Sequence, residues 1–378
     1  MKLDKLCILF TDGDWIESKD QSDSGIRLIQ TGNIGNGEFL YKNDKAKYIS
    51  VDTFKRLNCK EVFPNDILVS RLPEPVGRGC IIPDIGEKMI TAVDCTICRI
   101  NENLVDRKYF CYFLESNAYK TQLEQHVTGT TRKRISRKNL SSVEIDIPEQ
   151  AKQKEVVYKL DRLKKIIQNY NRELDLLDEL VRARFVEMFG DLRINDKGWK
   201  YYKLDELTEL ITDGEHATPK RTTQGIYLLS ARNVLNHQLS LEDVDFIDCD
   251  EFDRISRRII PKEGDVLISC SGSIGRCCIV PKNIKFQMVR SIALLRFKSN
   301  INPVFAEYMI TSDYLQDQIN KSKTASSQAN LFQGKIKSLK GVVPPLELQN
   351  QFASFVQEID KSRLLSNHSL LLLKSIIF

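Results

Sequence analysis

The 378-residue sequence contains no long run of apolar residues and no large excess of charge of either sign. A membrane-spanning helix needs about 20 consecutive apolar residues, so the sequence argues against a helical membrane protein. Asp4 and Lys5 interrupt the short apolar stretch at the amino terminus, which argues against a secretory signal and predicts a cytoplasmic protein. The net charge of +5 neither requires nor excludes a nucleic-acid partner.

Residues that usually carry catalysis or bind metals are few and scattered. Only four histidines are present, and none has a serine or cysteine at the spacing of a known triad. The sequence has no GxxxxGK[ST] loop for ATP hydrolysis. Cys95 and Cys98 have zinc-ligand spacing, but on a strand they would point to opposite faces, and no second CxxC pair completes a site. We therefore expect ten reduced thiols, and neither a metal nor a cofactor in this chain.

The sequence does contain an internal duplication with a period of about 200 residues, far longer than a solenoid repeat. The segment KLDKL at 2–6 matches KLDEL at 203–207, and DILVS at 66–70 matches DVLIS at 265–269. Further matches follow in the same order with a slowly decreasing shift. The chain is therefore predicted to consist of two homologous halves in tandem.

Each half is predicted to contain one mixed α/β (α+β) globule. Strands are predicted where β-branched and apolar residues are bounded by Gly, Pro or Asn, at 66–71, 97–100, 265–270 and 291–297, with last strands at 143–147 and 341–343. Helices are predicted at 3–9, 107–125, 204–210 and 304–322. A polar, basic loop precedes the last strand of each globule.

A long helix is predicted after each globule, because prolines at 148 and 344 followed by an acidic residue are typical helix starts. In the first helix apolar residues alternate at spacings of three and four over about four heptads, broken only at Arg184. The two helices are predicted to pair as an antiparallel coiled-coil spacer that holds the globules apart. The predicted boundaries are 1–147 and 191–343 for the globules, and 148–190 and 344–378 for the helices.

Taken together, these features resemble the specificity subunit of type I restriction–modification systems. The stretch RFVEMFGD at 184–191 is similar to the end of the central helix in many members, and GDVLISCSGSIG at 264–275 is similar to a segment of their target recognition domains. The resemblance covers the whole chain. It implies that each globule is a target recognition domain that reads one half of a bipartite, asymmetric site in double-stranded DNA.

The resemblance also implies a set of partners. The helices would set the gap between the half-sites and dock two methyltransferase subunits, and restriction subunits would join the full complex. This chain would be non-catalytic, and S-adenosylmethionine, ATP and Mg²⁺ would belong to the partner subunits. Phe185, Met188 and Phe189 are candidate docking residues, with packing in the protein core as the alternative.

Candidate DNA contacts come from loops that carry basic, amide and hydroxyl side chains. The segment TGTTRKRISRK at 128–138 has five basic residues and no acid, and 322–340 is its milder counterpart. Solvated loops and plain turns are the alternative interpretation. The candidates of the first half are Gln30, Asn33, Arg71, Arg78, Thr130, Arg132, Lys133, Arg134, Arg137 and Lys138. Those of the second half are Arg232, Asn233, Ser271, Ser273, Arg276, Gln328, Asn330 and Lys335.

Two other functions remain open at this point. Asp84, Asp106 and Lys108 fit a loose nuclease pattern in which acids bind Mg²⁺ and a lysine polarises water, which would make the chain a stand-alone endonuclease. The second half lacks the first acid, because Lys282 follows its Pro281. A coiled-coil assembly protein whose globules bind other proteins is the third possibility.

Overall fold

The computed structural model describes residues 1–73, 75–321 and 330–377, with only the backbone described for 374–377. The chain divides into two compact units: unit 1 comprises Met1–Asn171 and His368–Phe378, and unit 2 comprises Arg172–Asn367. None of the helices in the described ranges is long and apolar enough to cross a membrane.

Unit 1 contains two sheets. Its strands are β1 (Cys7–Asp12), β2 (Gln21–Ser22), β3 (Ile26–Ile29), β4 (Tyr48–Ile49), β5 (Glu61–Val62), β6 (Ile67–Ser70), β7 (Gly79–Ile81), β8 (Met89–Thr91) and β9 (Cys95–Ile100). One sheet has the order β1-β9-β6-β7 and is antiparallel. The other has the order β2-β4-β3-β8-β5, and β3 and β8 are parallel. Strand β6 is buried on both faces, because Leu68 packs into one apolar cluster while Ile67 and Val69 pack into another.

The first four helices of unit 1 each start after a side chain that accepts a hydrogen bond from the backbone of the first turn. The helices of this unit are α1 (Val51–Arg56), α2 (Arg107–Glu115), α3 (Asn117–Glu124), α4 (Arg137–Ser141) and the first part of α5 (Gln150–Phe189). The predicted single helix at 107–125 is interrupted at Ser116. This residue has extended backbone angles, and its hydroxyl accepts from the N–H of Tyr119, so it ends α2 and caps α3.

Unit 2 repeats the main features of unit 1. Its strands are β10 (Tyr201–Lys203), β11 (Thr208–Asp213), β12 (Ile226–Leu229), β13 (Val234–Leu235), β14 (Gln238–Leu239), β15 (Asp245–Ile247), β16 (Val266–Ser269), β17 (Cys277–Ile279), β18 (Phe286–Met288), β19 (Ile292–Phe297) and β20 (Lys340–Val342). Its helices are α6 (Leu204–Leu207), α7 (Cys249–Ser256), α8 (Pro303–Thr311), α9 (Asp313–Lys321), α10 (Gln333–Ser338) and α11 (Leu346–Ile377). The sheet β11-β19-β16-β17 has the order of β1-β9-β6-β7, and β12 and β18 are parallel like β3 and β8. The mixed helix-and-sheet class and the duplication are thus confirmed.

Besides the helix at 107–125, four predicted elements differ from the structure. The predicted helix at 304–322 is divided at Ser312, which has extended backbone angles and separates α8 from α9. The predicted helix at 3–9 is a short 3-10 turn (Leu3–Leu6), because the residues from Cys7 onward pair with β9 as strand β1. Its counterpart at 204–210 is shortened to α6 by β11 in the same way. The predicted strand at 143–147 is reduced to a single bridge between Lys2 and Glu144.

The long helices are present close to their predicted limits. Helix α5 has 40 residues, which corresponds to about 60 Å at 1.5 Å per residue. The apolar residues predicted at spacings of three and four form one seam along this helix. Every residue of this apolar seam, including Arg184, is buried or half-buried. Within unit 2, α5 contacts α11 in antiparallel order, as shown by three pairs of side chains: Phe185 and Phe352 (5.4 Å between centroids), Asp178 and Arg363 (2.5 Å), and Glu173 and Ser366 (3.1 Å).

A buried glutamine joins the start of each long helix to its globule. The side chain of Gln153 accepts from the N–H of Asp106 (2.7 Å) and donates to the carbonyl oxygens of Leu104 and Pro148 (3.2 and 2.8 Å). Gln349 makes the same three contacts in unit 2, with Asn302, Asn300 and Pro344. Both glutamines are 0% exposed, so each amide replaces water for backbone groups that are shielded from it.

We expect the substitution Gln153→Met to destabilise unit 1 strongly. The side chain would keep its length, but the N–H of Asp106 and two carbonyl groups would lose their partner, at a cost of about 1–3 kcal/mol for each buried unsatisfied group. Urea unfolding followed by circular dichroism measures the effect. Gln168→Met, on an exposed position of the same helix, is the control and should change the midpoint little. Equal midpoints for both variants would contradict the role of Gln153.

Candidate DNA interface

A short basic hairpin at residues 128–134 is the most exposed cationic feature among the candidates. Its ends are closed by two hydrogen bonds of 2.9 Å between the backbones of Thr128 and Arg134. Gly129 has a φ of +97°, and a Cβ there would lie 2.4 Å from the carbonyl oxygen of Arg132, so the turn requires glycine. Thr130 and all three basic residues of the hairpin are exposed.

Helix α4 extends this basic surface. Ser136 caps the helix by accepting from the N–H of Asn139, and this places Arg137 and Lys138 in the exposed first turn. Together with Arg132, Lys133 and Arg134 they put five cationic side chains within seven residues. Such a cluster can displace counterions from several phosphates of a nucleic-acid backbone. The structure therefore brings together six of the first-half candidates, Thr130 included, on one exposed segment.

A cleft of about 400 Å³ lies beside the hairpin and between it and helix α3. Its lining includes Lys133 and Gly129 from the hairpin and Lys120 and Glu124 from α3. Lys120 was not among the candidates predicted from the sequence. Its position in the predicted helix at 107–125 was the only sequence signal for it. The lysine side chains of the cleft can donate hydrogen bonds next to the basic surface, and the carboxylate of Glu124 can accept them.

Arg71 and Arg78 are corrections to the predicted set, because their guanidinium groups bind the protein itself. Arg71 donates to the carbonyl oxygens of Ile135 (3.2 Å) and Val93 (2.6 Å). Arg78 donates to four carbonyl oxygens, those of Thr31, Ile34, Pro73 and Pro75. Burial lowers the pKa of Arg78. Hydrogen bonds of this number leave little capacity for a phosphate or a base.

The asparagines of the two matching turns are corrections of the same kind. Asn33 and Asn233 are 7% and 1% exposed. Each accepts from the backbone N–H three residues earlier, in Gln30 and Ser230 respectively, and donates its amide to carbonyl groups of the following loop. They hold their own loops together. Gln30 itself is half-buried.

The remaining second-half candidates are more dispersed. Arg232 is an ion-pair residue, since its guanidinium lies 3.3 Å from Asp243 and 3.1 Å from Asp245. Ser271 forms a backbone bridge with Asn330, while Ser273 and Lys335 are exposed. Arg276 is half-buried, and no hydrogen bond or ion pair of its side chain is found in the described parts of the chain. Gln328 lies outside the described residues.

Two of the predicted docking residues are also corrected. The rings of Phe185 and Phe189 are 5% and 0% exposed, and both pack against Phe305 and Phe352 in the core of unit 2. Met188 is half-buried against the same core. Rings at this depth cannot form a contact surface for another protein.

Other apolar residues of the long helices are exposed and were missed. In unit 2 they include Leu176, Leu180, Leu364 and Leu365, with exposed fractions between 47% and 72%. Leu176 and Leu180 lie outside the apolar seam predicted for the first helix, and no seam was predicted for the second. Leu176 and Leu180 are four residues apart and share one face of α5.

The residues of the alternative nuclease do not form a metal site. Asp106 caps α2 by accepting from the N–H of Tyr109 (3.0 Å), and Lys108 pairs with Asp161 of α5 (2.7 Å). Asp84 lies on an exposed loop and accepts from the N–H of Gly86. In the described ranges no group of three or more His, Cys, Asp or Glu residues could hold a metal ion.

The cysteine pair of zinc-ligand spacing is buried in two different places. Cys95 packs in one apolar cluster of unit 1 and Cys98 in another, on opposite faces of β9, as predicted from their spacing. Burial raises the pKa of Cys95 to about 12.

Comparison with known proteins gives a consistent result. The model of the family described as type I restriction modification DNA specificity domain matches twice, at residues 1–178 and 196–374. The chain is 20% identical over 359 residues to the EcoKI specificity subunit of Escherichia coli K12, covering 89% of this chain and 76% of that protein. It is 22% identical over 359 residues to the putative MjaX specificity subunit of Methanocaldococcus jannaschii, covering 90% and 78%.

Two solved structures share the fold. One is a chain from the work on complex assembly and conformational transition of the type I R-M system, with a TM-score of 0.62, 13% identity and coverage of 100% of this chain and 94% of that one. The other is the type I restriction–modification S subunit of M. genitalium, with a TM-score of 0.52, 14% identity and coverage of 100% and 93%.

The matched positions Arg78 and Arg276 allow a test of the structural role of Arg78. We expect Arg78→Met to lower the thermal midpoint of unfolding by several degrees, because four carbonyl groups would lose a charged donor. Arg276→Met, at the equivalent place of unit 2, should shift the midpoint much less. Differential scanning calorimetry of both variants checks this, and a larger decrease for Arg276→Met would refute it.

Proposed function

The chain belongs to the type I restriction modification DNA specificity family, and we propose that each of its two tandem domains reads one half of a bipartite, asymmetric site in double-stranded DNA. As a specificity subunit it recognises DNA and is not itself catalytic. The single observation that carries the proposal is the exposed basic hairpin of residues 128–134, continued by Arg137 and Lys138. We propose that its target is genomic DNA and that the protein is therefore cytoplasmic.

Basic side chains on such a hairpin serve two purposes in DNA recognition. Contacts to phosphates fix the register of the protein on the duplex, and an arginine that reaches the major groove favours guanine. Thr130 adds a hydroxyl group that can contact either a phosphate or a base edge. We propose that this surface is the reading surface of the first domain.

Two DNA-recognition domains that share a fold but differ in sequence are compatible with an asymmetric DNA site. A symmetric dimer of identical readers imposes a palindrome, whereas the two domains here share a sheet order but differ in their exposed loops. The second domain carries Lys335 on α10, the counterpart of α4, whereas Ser273 and Arg276 lie on the loop that corresponds to the loop of Arg78. We therefore propose that the two half-sites differ in sequence.

The long helices are proposed to set the gap between the half-sites and to bind the partners. A continuous helix of 40 residues resists bending and supplies a fixed length. We propose that two methyltransferase subunits dock on the helical region, and that the exposed Leu176, Leu180, Leu364 and Leu365 contribute, because apolar side chains on a helix surface are desolvated favourably on binding. Restriction subunits, and the S-adenosylmethionine, ATP and Mg²⁺ of the reaction, would belong to the remainder of the complex.

A map of modified bases in genomic DNA tests the specificity role. When this chain is expressed with methyltransferase subunits of its own operon in a methylation-free host, we expect one split motif of two unlike halves separated by a fixed gap. The control strain carries the same operon without this chain and should lack the motif. Methylation that is unchanged in the control strain would contradict the proposal.

The proposed role of the basic hairpin is tested by the salt dependence of binding. In the triple variant R132Q/K133Q/R134Q the slope of log affinity against log salt should become shallower by up to about 0.9 for each phosphate that the hairpin no longer neutralises. The variant K42Q/K45Q/K55Q removes three charges from exposed positions elsewhere in unit 1 and is the matched control. Fluorescence anisotropy with duplex DNA, using the assembled methyltransferase complex, measures both. A protein-binding scaffold would show a weak slope for every form of the chain.

A further inference from the structure

The residue that follows strand β6 joins the end of the basic hairpin to the first domain. Arg71 follows strand β6, and its carbonyl oxygen accepts from the N–H of Ile135 (3.1 Å), while its guanidinium donates to the carbonyl oxygen of the same residue (3.2 Å). Ile135 directly follows Arg134, the last residue of the hairpin, and is 1% exposed. Both the N–H and the carbonyl oxygen of Ile135 are thus hydrogen-bonded to Arg71 at the end of the hairpin.

Asp12 is an ion-pair partner of Arg71, whose Nε makes no hydrogen bond in the described parts of the chain. Its Oδ1 lies 3.2 Å from Nε of Arg71 and accepts from the hydroxyl of Thr96 (2.9 Å). Its Oδ2 lies 3.8 Å from Arg137, the first residue of α4. The side chains of Arg71 and Asp12 are only 14% and 20% exposed, so solvent screens their attraction weakly. One carboxylate therefore joins strands β1 and β9, the end of β6 and the helix that follows the hairpin.

The second domain shows that the fold does not need this arrangement. Cys270 occupies the place of Arg71, and its carbonyl oxygen accepts from the N–H of Leu331 (2.9 Å), which repeats the backbone bond to Ile135. A cysteine cannot supply the guanidinium contact. Asp213, the counterpart of Asp12, pairs with Arg258 (2.7 Å) and His216 (2.8 Å) instead. The same sheet thus forms with and without the side-chain contact.

We propose that Arg71 and Asp12 are positioning residues that present the basic hairpin to DNA. This inference rests on the proposed contact between the hairpin and DNA. Neither residue touches the duplex itself: the guanidinium of Arg71 is occupied by the protein, and a carboxylate repels phosphates. An acid at the base of a DNA-binding surface weakens binding by charge alone, and here it contributes by holding Arg71 and Arg137 in place.

The sign of the effect of Asp12→Asn separates positioning from simple electrostatics. Removal of a negative charge near a DNA-binding surface should tighten binding if charge alone matters. If Asp12 positions the hairpin, the variant should bind its half-site about five- to ten-fold more weakly, as when one partner of a partly buried charge pair is removed. Anisotropy with the assembled methyltransferase complex at fixed salt measures this. Asp23→Asn, an exposed acid of the same unit, is the control and should bind as tightly as the unaltered chain or slightly better.

Two further variants keep the test independent of protein stability. Arg71→Lys preserves the charge but a single ammonium group cannot span two carbonyl groups and Asp12, so it should weaken binding as Arg71→Cys does. In the double variant D12N/R71C the combined effect should be smaller than the sum of the two single effects, because both changes break the contact between Asp12 and Arg71. In the methylation map, Asp12→Asn should relax only the half of the motif read by the first domain, whereas general destabilisation would diminish methylation of the whole motif.

Three results would overturn the inference: tighter or unchanged binding by Asp12→Asn, binding by Arg71→Lys as tight as that of the unaltered chain, or additive effects in the double variant. These are distinct from failure of the proposed function. In that case the complex with the unaltered chain would give neither a split motif nor salt-dependent binding, and the inference would fall with it.

Discussion

The buried glutamine at the start of each long helix is the contact on which the rest of this architecture depends. A helix leaves its first backbone N–H groups without partners, and a loop that packs beneath it brings further polar groups out of water. Gln153 and Gln349 satisfy such groups with one amide each. Since an unsatisfied buried polar group is costly, the helix cannot tilt away from the globule without penalty. Each globule is thereby held at a fixed angle to the start of its own helix.

The sequence was sufficient to predict the scaffold because its signals are local or repeated. The start signal at Pro148 and the heptad spacing after it predicted a helix at 148–190, and the structure has α5 at Gln150–Phe189. The duplication predicted that both halves share a fold. One failure came from a single residue that overrides a periodic pattern, since Ser116 divides the helix predicted at 107–125. A capping residue inside an apolar pattern is easily missed when only the periodicity of the apolar residues is considered.

Site residues were harder to predict, since a basic side chain in a loop has the same sequence signal whether it binds DNA or the protein. Arg78 illustrates this: it reaches Thr31 and Ile34, which are more than 40 positions away in sequence. Only the fold reveals that these carbonyl groups converge on it. Candidates within one continuous segment, such as Arg132 and Arg134, are exposed, and their contact with DNA stays a prediction.

Comparison of the two domains separates contacts that build the fold from contacts that serve one domain. The ion pair between Asp66 and Arg99 recurs between Asp265 and Arg296, with both aspartate side chains 3% exposed, and therefore belongs to the scaffold. The nearby pair of Asp12 and Arg71 does not recur. Two copies of a domain must bury the same backbone, but they need not present the same loop. A charged contact found in one copy only, at the foot of an exposed basic segment, is thus better explained by what that segment binds than by the stability of the sheet.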